Sequence, residues 1–429
     1  MPTMTPLFPS GSLAMAGFEF ATAGRILFGP GSAAHAPALA LAFSRRVLVV
    51  TGATPERAAW LVEALEQQGA VCTLVPVSSE PDVAFVQDGA MRARRDRCGA
   101  IVSVGGGSAI DAGKAIAVLA TNEGDPFDYL EVIGRGMPLS VLSLPFIAIP
   151  TTAGTGSEVT RNAVLTVPER RVKVSLRSPL MLPRVAIVDA ELSYGLPAAT
   201  TARTGLDALT QLVEPFLSVR ANPLTDALCR DGIPRIARSL RRACEDGYDA
   251  RARGDMALAS LCGGLALANA GLGAVHGLAA PIGGLFAAPH GAVCAALLPH
   301  VFHANLRALR ERDVAGDALR RTDEIGRMLT GQASTGADAA TVWLRETCAV
   351  LEIPPLSFYG VGPADLGAIV ERARDAIRQR RQAGGAPGAI TVWLRGGNFA
   401  RTDAFTLGPH DSGAGRPRSR AGAIRPARR

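Results

Sequence analysis

The stretch from Gly271 to Ala292, GLGAVHGLAAPIGGLFAAPHGA, has no charged residue yet holds two of the six histidines in the chain, His276 and His290. An imidazole in apolar surroundings is either a core group hydrogen-bonded to backbone or a metal ligand. On unbroken helix the fourteen residues between them rise about 21 Å, far beyond a shared ion with bonds of about 2.1 Å. The two can meet only if the chain folds back. Pro281, Gly283 and Gly284 are of the types that end a helix and permit a tight turn.

A second candidate is TGLDALTQLVEP, which sets Asp207 and Gln211 four apart and so on one helical face. The flanking Leu206, Leu209, Leu212 and Val213 read as buried, and an unpaired carboxylate there is costly. Asp207 therefore either caps the first turn of its helix or has a partner: a metal, an N-terminal N–H group or an arginine.

Phosphate chemistry is suggested by GGGSAIDAGKAIA, where Gly105, Gly106 and Gly107 follow an apolar run and lead into a helix with Ser108 as expected N-cap and Asp111 at capping-box spacing. Glycines let a phosphate approach the backbone, and free N–H groups at a helix start attract it; a plain strand-to-helix turn uses the same residues. The first strand is followed by TGATPERA and not GxGxxG, and no GK[ST] follows the glycines, so neither the usual dinucleotide fingerprint nor a Walker loop is present. A hydroxyl-rich loop, PTTAGTGSEVT at 150–160, follows another apolar run and is expected to face the same crevice. The chain has only two lysines, Lys114 and Lys173, so each is expected where a compact ammonium fits and a guanidinium does not.

The elements that must position these residues alternate in the first half, as in doubly wound α/β domains. Strands are expected at 45–50, 71–77, 100–104, 146–150 and 185–189, helices at 55–69 and 83–96, and a hairpin around RNAVLTVPERRVKVSL. From about Pro197 the pattern is helical. We expect an α/β dinucleotide-binding domain over 17–195, a helical metal and substrate domain over 196–380, and an Arg/Gly/Pro-rich tail over 381–429 whose composition is that of disordered chain.

Composition narrows the function classes. Of the net charge of +7, the tail from Arg395 carries +6, so the body has no basic stripe and nucleic acid is not an expected partner. Met256 to Leu306 lacks Asp, Glu, Lys and Arg, but Asn269, the histidines and Pro281 interrupt it, and it reads as a helix buried in a soluble domain, not a membrane span. Seven scattered cysteines without a CxxC pair are those of a reducing, cytoplasmic compartment. No signal-peptide pattern opens the chain.

GGGSAIDAGKAIA, PTTAGTGSE, the DALTQ segment and the histidine stretch, in this order and spacing, make the chain resemble the iron-containing, or group III, alcohol dehydrogenases from about Phe18 to Arg374. The resemblance implies a dehydroquinate synthase-like fold, an α/β nucleotide-binding domain plus a helical domain, with nicotinamide and a divalent metal, iron or zinc, in the cleft. It places the pyrophosphate on Gly106, Gly107 and Ser108, in the loop that Gly105 and Asp111 flank, and matches Thr151, Thr152, Thr155 and Lys173 to the other NAD(P) contacts. It assigns Asp207, Gln211, His276 and His290 to the metal. Gln211 stands where a histidine is usual, and Ala280 where many members carry a further histidine suited to proton transfer. Beyond Arg374 the tail resembles unrelated sequence, as a frameshift gives. The expected activity is NAD(P)-linked interconversion of a small alcohol and its aldehyde or ketone, with a homo-oligomer compatible with it. Two alternatives are a metal-independent reductase resembling maleylacetate reductase and a degenerate member that binds nucleotide without turnover. Gly52, where NAD-preferring relatives carry an aspartate, implies that NADPH is accepted, with Arg57 as a phosphate partner.

Overall fold

The structure, a computed structural model, describes residues 17–313 and 316–382. Up to residue 188 strands and helices alternate: β1 (Ile26–Phe28), α1 (Ala36–Leu41), β2 (Arg46–Thr51), α2 (Ala59–Gln67), β3 (Val71–Pro76), α3 (Val83–Arg95), β4 (Ala100–Gly105), α4 (Gly107–Leu119), α5 (Pro126–Tyr129), β5 (Phe146–Pro150), β6 (Asn162–Val167), β7 (Val172–Arg177) and β8 (Val185–Val188). Six strands form one parallel sheet in the order β1-β8-β5-β4-β2-β3. β4, β5 and β8 are buried throughout, and β2 is buried after Arg46. Covered on both faces, such strands read as continuous Val/Ile runs without alternation. β1, which the sequence pattern does not reveal, has three residues paired to β8 and is too short to show a period.

The order of the sheet reverses at β2, with β3 on one side and β4 on the other. Ligands of open parallel sheets bind outside the carboxyl ends of the strands at such a reversal, which here means the loops after Thr51 and Gly105. The expected hairpin is β6 paired antiparallel with β7, from Asn162↔Arg177 to Val167↔Val172.

After β8 every described element is helical: α6 (Ala198–Phe216), α7 (Pro223–Glu245), α8 (Ala250–Ala270), α9 (Ala274–Leu285), α10 (His290–Arg312), α11 (Asp317–Thr330), α12 (Ala337–Val350) and α13 (Leu366–Gln382), with short 3₁₀ turns between. Among the described residues, α10 alone is long and apolar enough to cross a membrane by composition, with 56% of its most apolar window buried; α8 and α9 pass that test only as a pair, bent by 97°. The tail from 383, expected as disordered chain, lies outside the described residues.

Two local expectations are corrected. The N-cap of α4 is Gly106, extended at φ −74° and ψ −174°, and not Ser108, which is the second residue of the helix; no side chain caps this start, so its first N–H groups stay free. Pro281, Gly283 and Gly284 do not end a helix either. They lie inside α9, and the chain turns after Leu285. The glycines serve packing: a Cβ at Gly284 would lie 2.8 Å from the Arg171 carbonyl oxygen, and one at Gly283 would lie 2.6 Å from Lys173 Nζ.

The helical half has one large core, built on Leu206, Leu209, Ile233, Met256, Val293 and Phe302 among others, whereas the sheet has a core on each face. A smaller cluster joins Val159 and Val188 of the sheet half to Ala257 and Leu261 of α8.

Candidate active site

The two histidines do meet. His276 is in the first turn of α9 and His290 is the first residue of α10, and their ring centroids are 5.4 Å apart. Both face Asp207: its Oδ1 is 3.4 Å from His276 Nε2 and 3.7 Å from His290 Nε2. Asp207 is the tenth residue of α6, mid-helix and buried, so the capping alternative falls. Gln211, one turn on, donates from Nε2 to Asp207 Oδ2 at 3.2 Å. Asp207 Oδ1, His276 Nε2 and Gln211 Oε1 are buried without any hydrogen-bond partner. Buried polar atoms are almost always paired, so Asp207 Oδ1 and His276 Nε2, orphaned 3.4 Å apart, could together hold a cation.

Two residues that the sequence reading did not single out complete the arrangement. Glu214 Oε2 accepts from His276 Nδ1 at 2.7 Å, and its Oε1 accepts from the Val275 N–H at 2.6 Å. That bond puts the His276 proton on Nδ1 and leaves Nε2 as the free donor atom, while the carboxylate also suits the start of α9. Cys294, one turn after His290, lies with Sγ 3.6 Å from His290 Nε2. Its ligand atom and those of Asp207, His276 and His290 all lie within 4.8 Å of one another. Helical spacing carried both signals: Asp207, Gln211 and Glu214 follow an i, i+4, i+7 stripe, and His290 and Cys294 an i, i+4 pair.

Electrostatics agree with the geometry. Burial raises the Asp207 carboxyl, but the two imidazoles outweigh it and hold the group below its ordinary value. Burial lowers His276, yet Cys294, Asp207 and Glu214 lift it well above the ordinary histidine value. His290 is lifted by Cys294 first and by Asp207, against burial. A cation entering this cluster displaces protons.

On the sheet side the glycine loop and the threonine loop touch. A Cβ on Gly107 would lie 2.7 Å from Thr155 Cγ2, and one on Gly106 would lie 3.5 Å from Thr152 Oγ1. A Cβ on Gly105 would lie 3.1 Å from the Gly52 backbone nitrogen, so the loop after β2 closes the same crevice. Thr151 joins the group through its N–H, which donates to the Gly105 carbonyl at 2.9 Å. Ser108 sits in the uncapped first turn.

Asp111 and the two lysines are placed differently. The Asp111 carboxylate accepts from the Val164 N–H at 2.9 Å and from the Ser157 hydroxyl, and lies 3.2 Å from Lys114 Nζ, so it braces the loop from behind. Lys114 is fully buried and donates to the Ser157 carbonyl and hydroxyl, the Thr160 hydroxyl and the Asn162 carbonyl. This is the compact-ammonium position expected from the sequence. Lys173, on β7, pairs with Glu80 at 2.5 Å beside Gly283 of α9. Arg57 donates to the Leu192 carbonyl at 2.9 Å.

The sequence matches a model of the family described as iron-containing alcohol dehydrogenase over residues 23–190, and one of the C-terminal domain of the same family over 201–384. A 1,3-propanediol dehydrogenase of Klebsiella pneumoniae is 43% identical over 301 residues, which are 69% of this chain and 75% of that protein. The crystal structure of a 1,3-propanediol oxidoreductase superposes with a TM-score of 0.75 at 36% identity, covering 83% of this chain and 93% of that one. A sulfoacetaldehyde reductase from Bifidobacterium kashiwanohense, solved in complex with NAD+, superposes with a TM-score of 0.73 at 27% identity, covering 84% and 93%.

Proposed function

The chain belongs to the iron-containing alcohol dehydrogenase family, and from that premise we propose that it is a metal-dependent, NAD(P)-linked dehydrogenase of small alcohols. Membership makes it an oxidoreductase acting on CH–OH groups, with the dehydroquinate synthase-like pairing of a parallel α/β domain and a helical domain. The metal and the nucleotide rest on this chain's own residues. One observation carries the reading: Asp207 Oδ1 and His276 Nε2 are buried, unpartnered and 3.4 Å apart, with His290 beside them.

Asp207, His276 and His290 would hold the cation, with Gln211 and Glu214 fixing their orientation. Gly106, Gly107 and Ser108 would receive a pyrophosphate on free N–H groups, and Thr151, Thr152 and Thr155 would line the same crevice, in support of the expected NAD(P) contacts. Lys173, on β7 beside Gly283 of α9, would add a nucleotide contact at the seam of the two halves. When bound, a divalent ion supplies Lewis acidity to a carbinol or carbonyl oxygen, and nicotinamide gives or takes the hydride. The protein positions the substrate oxygen at the Asp207 and histidine cluster, and the apolar stretch around it, from Ala274 to Ala288, keeps water from the reacting carbon.

Elemental analysis of the purified protein, followed by an aldehyde panel with NADH and NADPH, tests the proposal. We expect one divalent ion per chain and turnover that is lost on chelation and restored by metal. Undiminished turnover in metal-stripped protein would overturn the metal reading in favour of a metal-independent reductase.

A further inference from the structure

The cluster contains four convergent donors, not three, and the fourth differs from the one expected. A tetrahedral ion with N and O bonds of about 2.1 Å and an S bond of about 2.3 Å sets its N···O edges near 3.4 Å and its N···S edges near 3.6 Å. The structure has 3.4 and 3.7 Å between the histidines and Asp207, and 3.6 Å between His290 Nε2 and Cys294 Sγ. Cys294 is buried on α10 one turn after His290, so a single helix presents both atoms. Gln211 competes poorly for the position. Its amide nitrogen holds Asp207 Oδ2, and its Oε1 lies against α8, 3.6 Å from where a Cβ on Gly263 would lie.

We propose that Cys294 is a ligand of the metal, a fourth protein donor beside Asp207, His276 and His290 with a further position left to the substrate oxygen, and that Gln211 supports Asp207 without binding the ion. The proposal rests on the metal-dependent reading above. Coordination replaces the S–H bond by an S–metal bond and releases the proton to solvent. A thiolate is a soft donor, so the site favours zinc over iron(II) and magnesium, in a family whose description names iron.

The experiment loads metal-free protein with cobalt(II), a spectroscopic stand-in for zinc, and reads the metal content beside the near-ultraviolet thiolate-to-cobalt charge-transfer band. We expect one cobalt per chain, a strong band in the wild type and in Gln211→Ala, and loss of the band in Cys294→Ser with zinc retention against a chelator weakened about 100-fold. Cobalt bound without the band, or a band that survives Cys294→Ser and so belongs to another of the seven cysteines, overturns the assignment but leaves the metal-dependent reading intact. No cobalt bound overturns both. Zinc-edge X-ray absorption of the wild type needs no variant to fold: one sulfur at about 2.3 Å supports the proposal, and a shell of nitrogen and oxygen alone ends it.

Discussion

Glu158 gives the residue scale a pH signature. Its side chain is buried, with the whole residue 2% exposed, and burial pushes its carboxyl up to about 7, against the pull of a backbone donor and the Lys114 ammonium. Unfolded, the group titrates near 4.5. Between those two values the folded chain keeps a proton that the unfolded chain has lost, so stability falls as pH rises through the window, by about 3 kcal/mol in all. Glu158→Gln removes the cost, and urea unfolding at pH 5 and pH 8 should show the variant gaining on the wild type by about that amount at the higher pH. An equal difference at both values would contradict the assignment. A prediction about cofactor choice belongs to Gly52 at the same scale. A Cβ there meets nothing within 4 Å, so Gly52→Asp fits without disturbing the crevice. We expect the wild type to use NADPH, and the new carboxylate to lower kcat/KM for NADPH about 100-fold by charge repulsion while sparing NADH. A wild type with a strong preference for NADH would refute this.

At the scale of elements, α4 depends on Lys114. The helix begins at a bare glycine without a side-chain cap, and its placement comes from an ammonium buried among Ser157, Thr160 and Asn162 and paired with Asp111. This ties the helix of the glycine loop to the end of the threonine loop and the start of β6. Lys114→Met leaves those acceptors and the Asp111 carboxylate without their partner, at a cost of about 3–5 kcal/mol. Lys114→Arg does not rescue, because a planar fork does not fit an enclosed site shaped for a point charge. Denaturant unfolding reads the stability loss, and cofactor fluorescence should show weaker nucleotide binding in both variants. A methionine variant within 1 kcal/mol of wild type, on the scale of about 1 kcal/mol for an ordinary hydrogen bond, would show that the anchor is dispensable.

For the whole molecule, the threonine loop is where the sheet half and the helical half are fitted together. Gly154 approaches Thr204 of α6, where a Cβ would lie 2.7 Å from the threonine Cβ. Gly156, at φ +58°, meets Gly264 of α8, and a Cβ on Gly264 would lie 2.4 Å from the Gly156 carbonyl oxygen. Both partners there are backbone, so neither yields as a flexible side chain would. Gly264→Ala should destabilise by about 3 kcal/mol or more and weaken metal retention and nucleotide binding together, because the loop touches α6 on one side and the glycine loop on the other. Thermal unfolding with the two binding assays checks this; unchanged Tm with both ligands retained would mean that the halves tolerate separation.

The order of elements after β1, the parallel α/β half, the helical half and the two polar loops could all be read from the sequence, because apolar period and strand-ending glycines are local properties of the chain. So could the candidacy of Asp207, His276 and His290 for one site, through residue types that apolar surroundings make expensive. What Pro281, Gly283 and Gly284 do was decided only by packing: the same glycines that permit a turn also permit the hairpin of β6 and β7 to rest on α9. Ser108 lost the N-cap because Gly106 was already extended at the strand end. Glu214 and Cys294 were visible as helical spacings but carried no meaning until α6, α9 and α10 converged. A donor atom becomes a ligand or a support only through the direction in which it points, and direction across three helices is set by tertiary contact, which no spacing along the chain contains.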